Sequence, residues 1–137
     1  MSSAPLLLDT NIISSLMREP TGVAAQRMAQ VIDEGQKVLT SVVVQCELEF
    51  GLAKRPSARL SQAYDIVMRH IEVATLDEHV VNHYAKVRNH LESSGQAIGA
   101  NDNLIAAHAL ALGASLVTDN ETEFRRVPGL TVENWLR

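Results

Sequence analysis

The sequence holds one cysteine, Cys46, in 137 residues. No internal disulfide is possible, and a reducing cytoplasm is the expected compartment. Met1-Ser2-Ser3-Ala4-Pro5 has no basic region, and the apolar run behind it is only three leucines. Neither a signal peptide nor a membrane span is expected. Basic residues are not in excess: the formal net charge is -4, which argues against non-specific nucleic-acid binding unless a cation offsets several of the acids. There is no nucleophile elbow, no glycine-rich phosphate loop and no His-Glu-x-x-His zinc pattern. Internal repeats, low-complexity tracts and long linkers are also missing.

What remains is a chain that is 46% hydrophobic, long enough to bury one core as a single domain over residues 1–137. Strand-like and helix-like segments alternate. Strands are expected over 6–8, 38–40, 71–76 (an edge), 115–117 and 130–132. Helices are expected over 11–17, from a Thr21 cap to Gly35, from Ser41 or Val42 to Lys54, from a Ser57 cap to Arg69, from an Asp77 cap to Gly95, and from an Asn101 or Asp102 cap to Leu112. Short apolar strands separated by helices imply an α/β fold with a mainly parallel sheet of four to five strands, covered by helices on both faces.

Four acids stand where such a sheet would deliver them. Asp9 follows Leu6-Leu7-Leu8, and Asp119 follows Leu116-Val117-Thr118; ligands of open α/β sheets bind beyond the carboxyl ends of strands. Asp9, Asp102 and Asp119 can each be read equally as a turn or helix cap, and Asn120 with Glu123 fits a capping box. Glu47 is different. On a helical wheel it lies between Val43 and Phe50 on one side and Val44 and Gly51 on the other, inside an apolar arc, whereas Glu49 faces the solvated side. A buried carboxylate needs a proton, a basic partner or a metal. Gly51, one turn on, would leave room beside it. If Asp9, Glu47 and Asp102 converge to about 5 Å, each pair repels by about 3 kcal/mol at an effective dielectric near 20. The three pairs together approach the roughly 5–15 kcal/mol that stabilises a whole domain. Such a cluster takes up protons or a cation, and oxygen-only ligands favour Mg²⁺ or Mn²⁺ over zinc.

Other groups carry less. His79, His83 and His90 form one helical stripe expected to be a solvated flank, and His108 lies in an apolar helix as a core residue. Lys54 and Arg55, one to two turns after Glu47, could meet a phosphate backbone.

Taken in order, Leu-Leu-Asp9-Thr10-Asn11, Glu47-Leu48-x-x-Gly51, Ile98-Gly99-Ala100-Asn101-Asp102-x-x-Ile105-Ala106-Ala107 and Leu116-Val117-Thr118-Asp119-Asn120-x-x-Glu123-Phe124 resemble a PIN domain. The narrower resemblance is to ribonucleases of the VapC and FitB type, toxins of type II toxin–antitoxin systems. It implies an endoribonuclease that hydrolyses RNA phosphodiester bonds by a metal-activated water with Mg²⁺ or Mn²⁺, a cognate antitoxin that blocks the site, a homodimer, no membrane association and a cytoplasmic location. Carried over by position, Asp9, Glu47 and Asp102 hold the metal, and Thr10 or Asn11 orients ligands or substrate. The fourth position follows the motif Thr118. Either Asp119 supplies the carboxylate or Asn120 contributes a neutral oxygen. Two other readings are open: a non-catalytic PIN-like module that binds a protein or nucleic acid, and a small phosphatase, for which Asp9-Thr10-Asn11 lacks the second aspartate of an Asp-x-Asp motif.

Overall fold

A computed structural model describes residues 3–137; Met1 and Ser2, part of the stretch expected to carry no leader, lie outside the described residues. The chain enters at the centre of its sheet. Strand β1 (Leu6–Leu8) is buried along its whole length, as a strand covered on both faces requires. The chain then runs through α1 (Thr10–Arg18), α2 (Val23–Asp33), β2 (Val38–Ser41), α3 (Val42–Lys54), α4 (Ala58–Met68), β3 (Glu72–Ala74), α5 (Glu78–Ser93), α6 (Ala100–Leu112), β4 (Ser115–Val117), α7 (Glu121–Phe124) and β5 (Val132–Glu133). The strand order is β3-β2-β1-β4-β5, and every pairing is parallel. The sheet is therefore five-stranded and wholly parallel, and both the fold class and the strand count match what the alternating pattern implies.

From β1 the chain builds outward to β3 on one side, then returns to β4 on the other. Beyond the carboxyl ends of β1 and β4 the connections diverge and leave the crevice in which such sheets bind ligands. Register puts the two strand ends level: Leu8 pairs with Val117, and the Asp9 N–H donates to the Val117 carbonyl at 2.9 Å.

Helix ends follow their chemistry in most places. Ser41, Ser57 and Asp77 cap α3, α4 and α5 as expected, accepting from the N–H groups of Val43, Leu60 and His79. Two caps differ. Gly22, and not Thr21, caps α2, because Pro20–Gly22 make a turn that puts Thr21 one residue early. Gly99 caps α6, so Asp102 falls inside the first turn with its carboxylate free of capping duty. The last strand begins later than 130–132, pairing Leu116 with Val132 and Val117 with Glu133, while the edge strand β3 keeps only the middle of 71–76.

The core runs from the three leucines of β1 through Ile12, Ile13, Ile105 and Leu116 to Phe124 and Trp135, all 1% exposed or less. Replacing Phe124 by Ala is expected to destabilise the protein by about 3–5 kcal/mol through lost burial and a residual cavity. Urea denaturation measures this, and a loss below about 1 kcal/mol would contradict the packing.

Candidate active site

Asp9 is the innermost acid, 4% exposed. It leaves β1 as the N-cap of α1. One oxygen, Oδ1, accepts from the Thr10 N–H at 2.8 Å. The other, Oδ2, accepts from the Thr118 hydroxyl at 2.7 Å, across 109 residues of sequence. Burial pushes the Asp9 carboxyl above its ordinary value, the bonds from Thr118 and Thr10 pull the other way, and the charge of Glu47 adds to the rise. Thr10 bridges two acids, since its hydroxyl donates to Glu47 Oε1 at 2.8 Å.

Glu47 is not trapped as the helical wheel implies. It is only partly buried, and Phe50 is 66% exposed. A Cβ at Gly51 would meet nothing within 4 Å. The wheel reports which residues share a side of α3, whereas burial depends on what covers that side. The outer half of α3 is uncovered, and Lys54 lies over the Phe50 ring, 5.9 Å from its centroid.

Asp102 collects the effects of the others. Its carboxyl is pushed up to about 6, first by burial, then by the charges of Asp9, Glu123 and Glu47, and by a hydrogen bond with Glu123. Three of the sequence-derived acids, Asp9, Glu47 and Asp102, thus act on one another as a group. The fourth member of the group is Glu123, which acts on Asp102 beside Asp9 and Glu47.

Asp119 points elsewhere. Its carboxylate accepts from Asn134 Nδ2 at 3.0 Å and from Arg137 Nε at 3.4 Å. Those bonds, Asn134 first, hold it below the ordinary carboxylate range. Only its backbone serves the crevice, the N–H donating to Asn11 Oδ1 at 2.9 Å. Asn120 donates its N–H to Thr118 Oγ1 at 3.0 Å and its Nδ2 to Glu123 Oε2 at 3.2 Å. Asn120 caps α7 without a side-chain bond to the backbone, so the expected capping box does not form. The same Asn-x-x-Glu spacing instead lets Asn120 hold Glu123 toward Asp102. That spacing was the one available signal for Glu123. Replacing Glu123 by Gln is expected to lower the Asp102 pKa from about 6 toward the ordinary range, as read by carbon-detected NMR titration; an unmoved Asp102 would mean the two carboxyls do not communicate.

Among the described residues, no three acids, histidines or cysteines close into a set that would enclose an ion unaided. The cluster is an open one, all oxygen, with negative charge gathered around Asp102 by Asp9, Glu123 and Glu47. Those properties fit a hard divalent cation that keeps several waters and takes only one or two carboxylates directly. His79 and His90 are exposed and His83 is partly so, as a solvated flank requires. No helix of the described residues is long and apolar enough to cross a membrane.

Comparison with known proteins supplies the family. The PIN domain family model matches residues 6–130. Ribonuclease VapC2 of Rickettsia felis is 34% identical over 131 residues, covering 94% of this chain and 96% of the relative. The tRNA(fMet)-specific endonuclease VapC of Shigella flexneri is 34% identical over 132 residues, with 94% and 96% covered. Among solved structures, VapBC2 from Rickettsia felis bound to a DNA fragment from their promoter superposes with a TM-score of 0.89 at 31% identity, covering 95% of this chain and 98% of that one. With the acid-lined crevice between β1 and β4 and a family match over nearly its whole length, the chain belongs to the PIN domain family.

Proposed function

We propose that this protein is an endoribonuclease, the toxin of a toxin–antitoxin pair, which hydrolyses RNA phosphodiester bonds at the Asp9–Glu47–Asp102–Glu123 cluster with Mg²⁺ or Mn²⁺. The observation that carries the reading is the set of oriented acids: Thr118 holds Asp9 at 2.7 Å, Thr10 holds Glu47 at 2.8 Å and Asn120 holds Glu123 at 3.2 Å, around an Asp102 whose carboxyl is pushed up to about 6 by burial first and then by the charges of Asp9, Glu123 and Glu47. A cluster this repulsive binds cations, and relatives at 34% identity are named ribonuclease and tRNA-specific endonuclease.

Asp9, Glu47 and Asp102 are the residues that would hold the ion, directly or through water, with Glu123 beside them. When bound, a divalent cation supplies positive charge to a phosphodiester and a means of activating water at neutral pH. The chain's own contribution is orientation and proton balance. Thr118 and Thr10 lock the carboxylates of Asp9 and Glu47 by hydrogen bonds at 2.7 and 2.8 Å, and Asn120 steers Glu123. Such supporting bonds set how well the ligands work. Asp102 holds its proton to higher pH than an ordinary carboxyl, so a cation held there would compete with that proton and be bound less well in acid. Asn11, tied to the Asp119 N–H, fixes the turn after β4.

The partner surfaces have support of their own. An apolar groove of about 450 Å³ runs between α1, α2 and α4, lined by Leu16, Met28, Ile32 and Ile66 among others, and it suits an amphipathic segment of an antitoxin. Phe50 and Val81, 66% and 67% exposed, mark apolar surface that pairing of two copies would cover. An RNA substrate and the single exposed thiol of Cys46 suit a cytoplasmic location.

The test is cleavage of a defined tRNA and of single-stranded RNA by purified protein. Activity is expected with Mg²⁺ or Mn²⁺, none with EDTA, and none from Asp9→Asn. Cleavage that persists unchanged in EDTA or in the variant would sink the assignment.

A further inference from the structure

His108 is 1% exposed, in the middle of α6, and plays no part in the acid cluster. Its Nδ1 lies 2.7 Å from Ser41 Oγ, while Nε2 is buried and makes no hydrogen bond of normal geometry, with the Thr75 backbone close enough to act on the ring. Burial lowers the pKa of the ring, and the Thr75 backbone and the charge of Asp77 oppose that shift. A leucine or methionine would fill the same space without a buried, poorly partnered nitrogen, which costs stability. Packing alone therefore does not account for an imidazole here.

Ser41 is a junction. It ends β2 and caps α3, accepting from the Val43 N–H at 3.1 Å. Its neighbour Thr40 donates to the Leu8 carbonyl at 2.6 Å, next to Asp9. Two relations then fix how α3 lies on α6. Ser41 meets His108, and Glu47 lies within electrostatic reach of Asp102. Ser41 precedes Glu47 by six residues, and His108 follows Asp102 by six. The helices therefore run antiparallel with matched offsets of about 9 Å along each axis. The contact that joins Ser41 to His108 sets the same register that brings Glu47 opposite Asp102. It also opposes the splaying that repulsion between those two acids promotes.

We propose that His108 is a positioning residue for the cleavage site: its buried bond to Ser41 locks α3 against α6 and so fixes the placement of Glu47 relative to Asp102. This rests on reading the acid cluster as the cation and cleavage site. His108→Leu keeps the bulk and removes the bond. It is expected to lower kcat on RNA roughly 10- to 100-fold and to weaken Mn²⁺ binding roughly tenfold by calorimetry, with KM for RNA within about twofold, because remote RNA contacts are untouched. His108→Asn, whose amide can still reach the Ser41 hydroxyl, recovers most of both. Ser41→Ala reproduces the loss, and the double variant is no worse than either single one. Circular dichroism establishes that each is folded, and if His108→Leu does not fold, Ser41→Ala decides. Folded variants with wild-type kcat and Mn²⁺ affinity overturn the positioning role alone. Wild-type protein that neither binds Mn²⁺ nor cleaves RNA overturns the reading of the cluster, and the positioning role with it.

Discussion

Replacing Asp102 by Asn is expected to cut RNA cleavage by roughly 10³-fold or more while making the ion-free protein more stable. The two effects have one origin. In the wild-type protein the Asp102 carboxyl is raised from 3.8 to about 6 by burial and by Asp9, Glu123 and Glu47. The folded state therefore holds the proton more tightly than the unfolded chain does. That contribution to stability is complete below about pH 4 and is lost as pH rises through about 6. Asp9, raised in the same direction, adds to the trend. At neutral pH the Asn variant escapes the charge penalty and gains on the order of 1–3 kcal/mol. Denaturation from pH 4 to 7 measures it: wild-type stability should decline relative to the variant across that window. Parallel curves would show that Asp102 is not strained by its neighbours, and retained cleavage would remove it from the site.

Adding Mg²⁺ or Mn²⁺ is expected to raise the melting temperature of the wild-type protein. At a free-ion concentration near a hundred times Kd, binding to the folded state alone stabilises it by about 2.7 kcal/mol. For a domain of this size that is roughly 8–13 °C. Asp9→Asn and Asp102→Asn should lose nearly all of the gain, because each removes a carboxylate and relaxes the repulsion that favours a cation. Asp119→Asn should keep it, since the Asp119 carboxylate is held by Asn134 and Arg137 outside the cluster. A wild-type melting temperature indifferent to both ions would exclude a cation site in the crevice.

The contrast between Asp119 and Glu123 shows what could be read in the sequence and what could not. Asp9 was legible because three leucines buried as a strand dictate where the next residue goes. Asp102 was legible as a position but not as a role: whether it caps α6 or faces the crevice turned on a three-residue shift of the helix start to Gly99. The sequence puts Glu47 on the correct helix but overstates its burial, since periodicity names a side and not its cover. In the sequence Glu123 reads only as a capping partner for Asn120. Its link to Asp102 spans 21 residues, and it depends on how the short α7 docks. Asp119 is withdrawn by Asn134 and Arg137, at the far end of the chain, and nothing local announces them.

The bond from Thr118 to Asp9 spans 109 residues, and it has a consequence for synthesis. β1 is made before every other strand, and the strand beside it that completes the crevice follows after three helical crossovers' worth of chain. At about 5–20 residues per second, roughly 5–20 s separate the two. A nascent chain, or one cut short by premature termination before residue 118, carries Asp9 without its partner strand. The proposed cleavage site can therefore assemble only after residue 118 has been made, because until then nothing orients the second oxygen of Asp9.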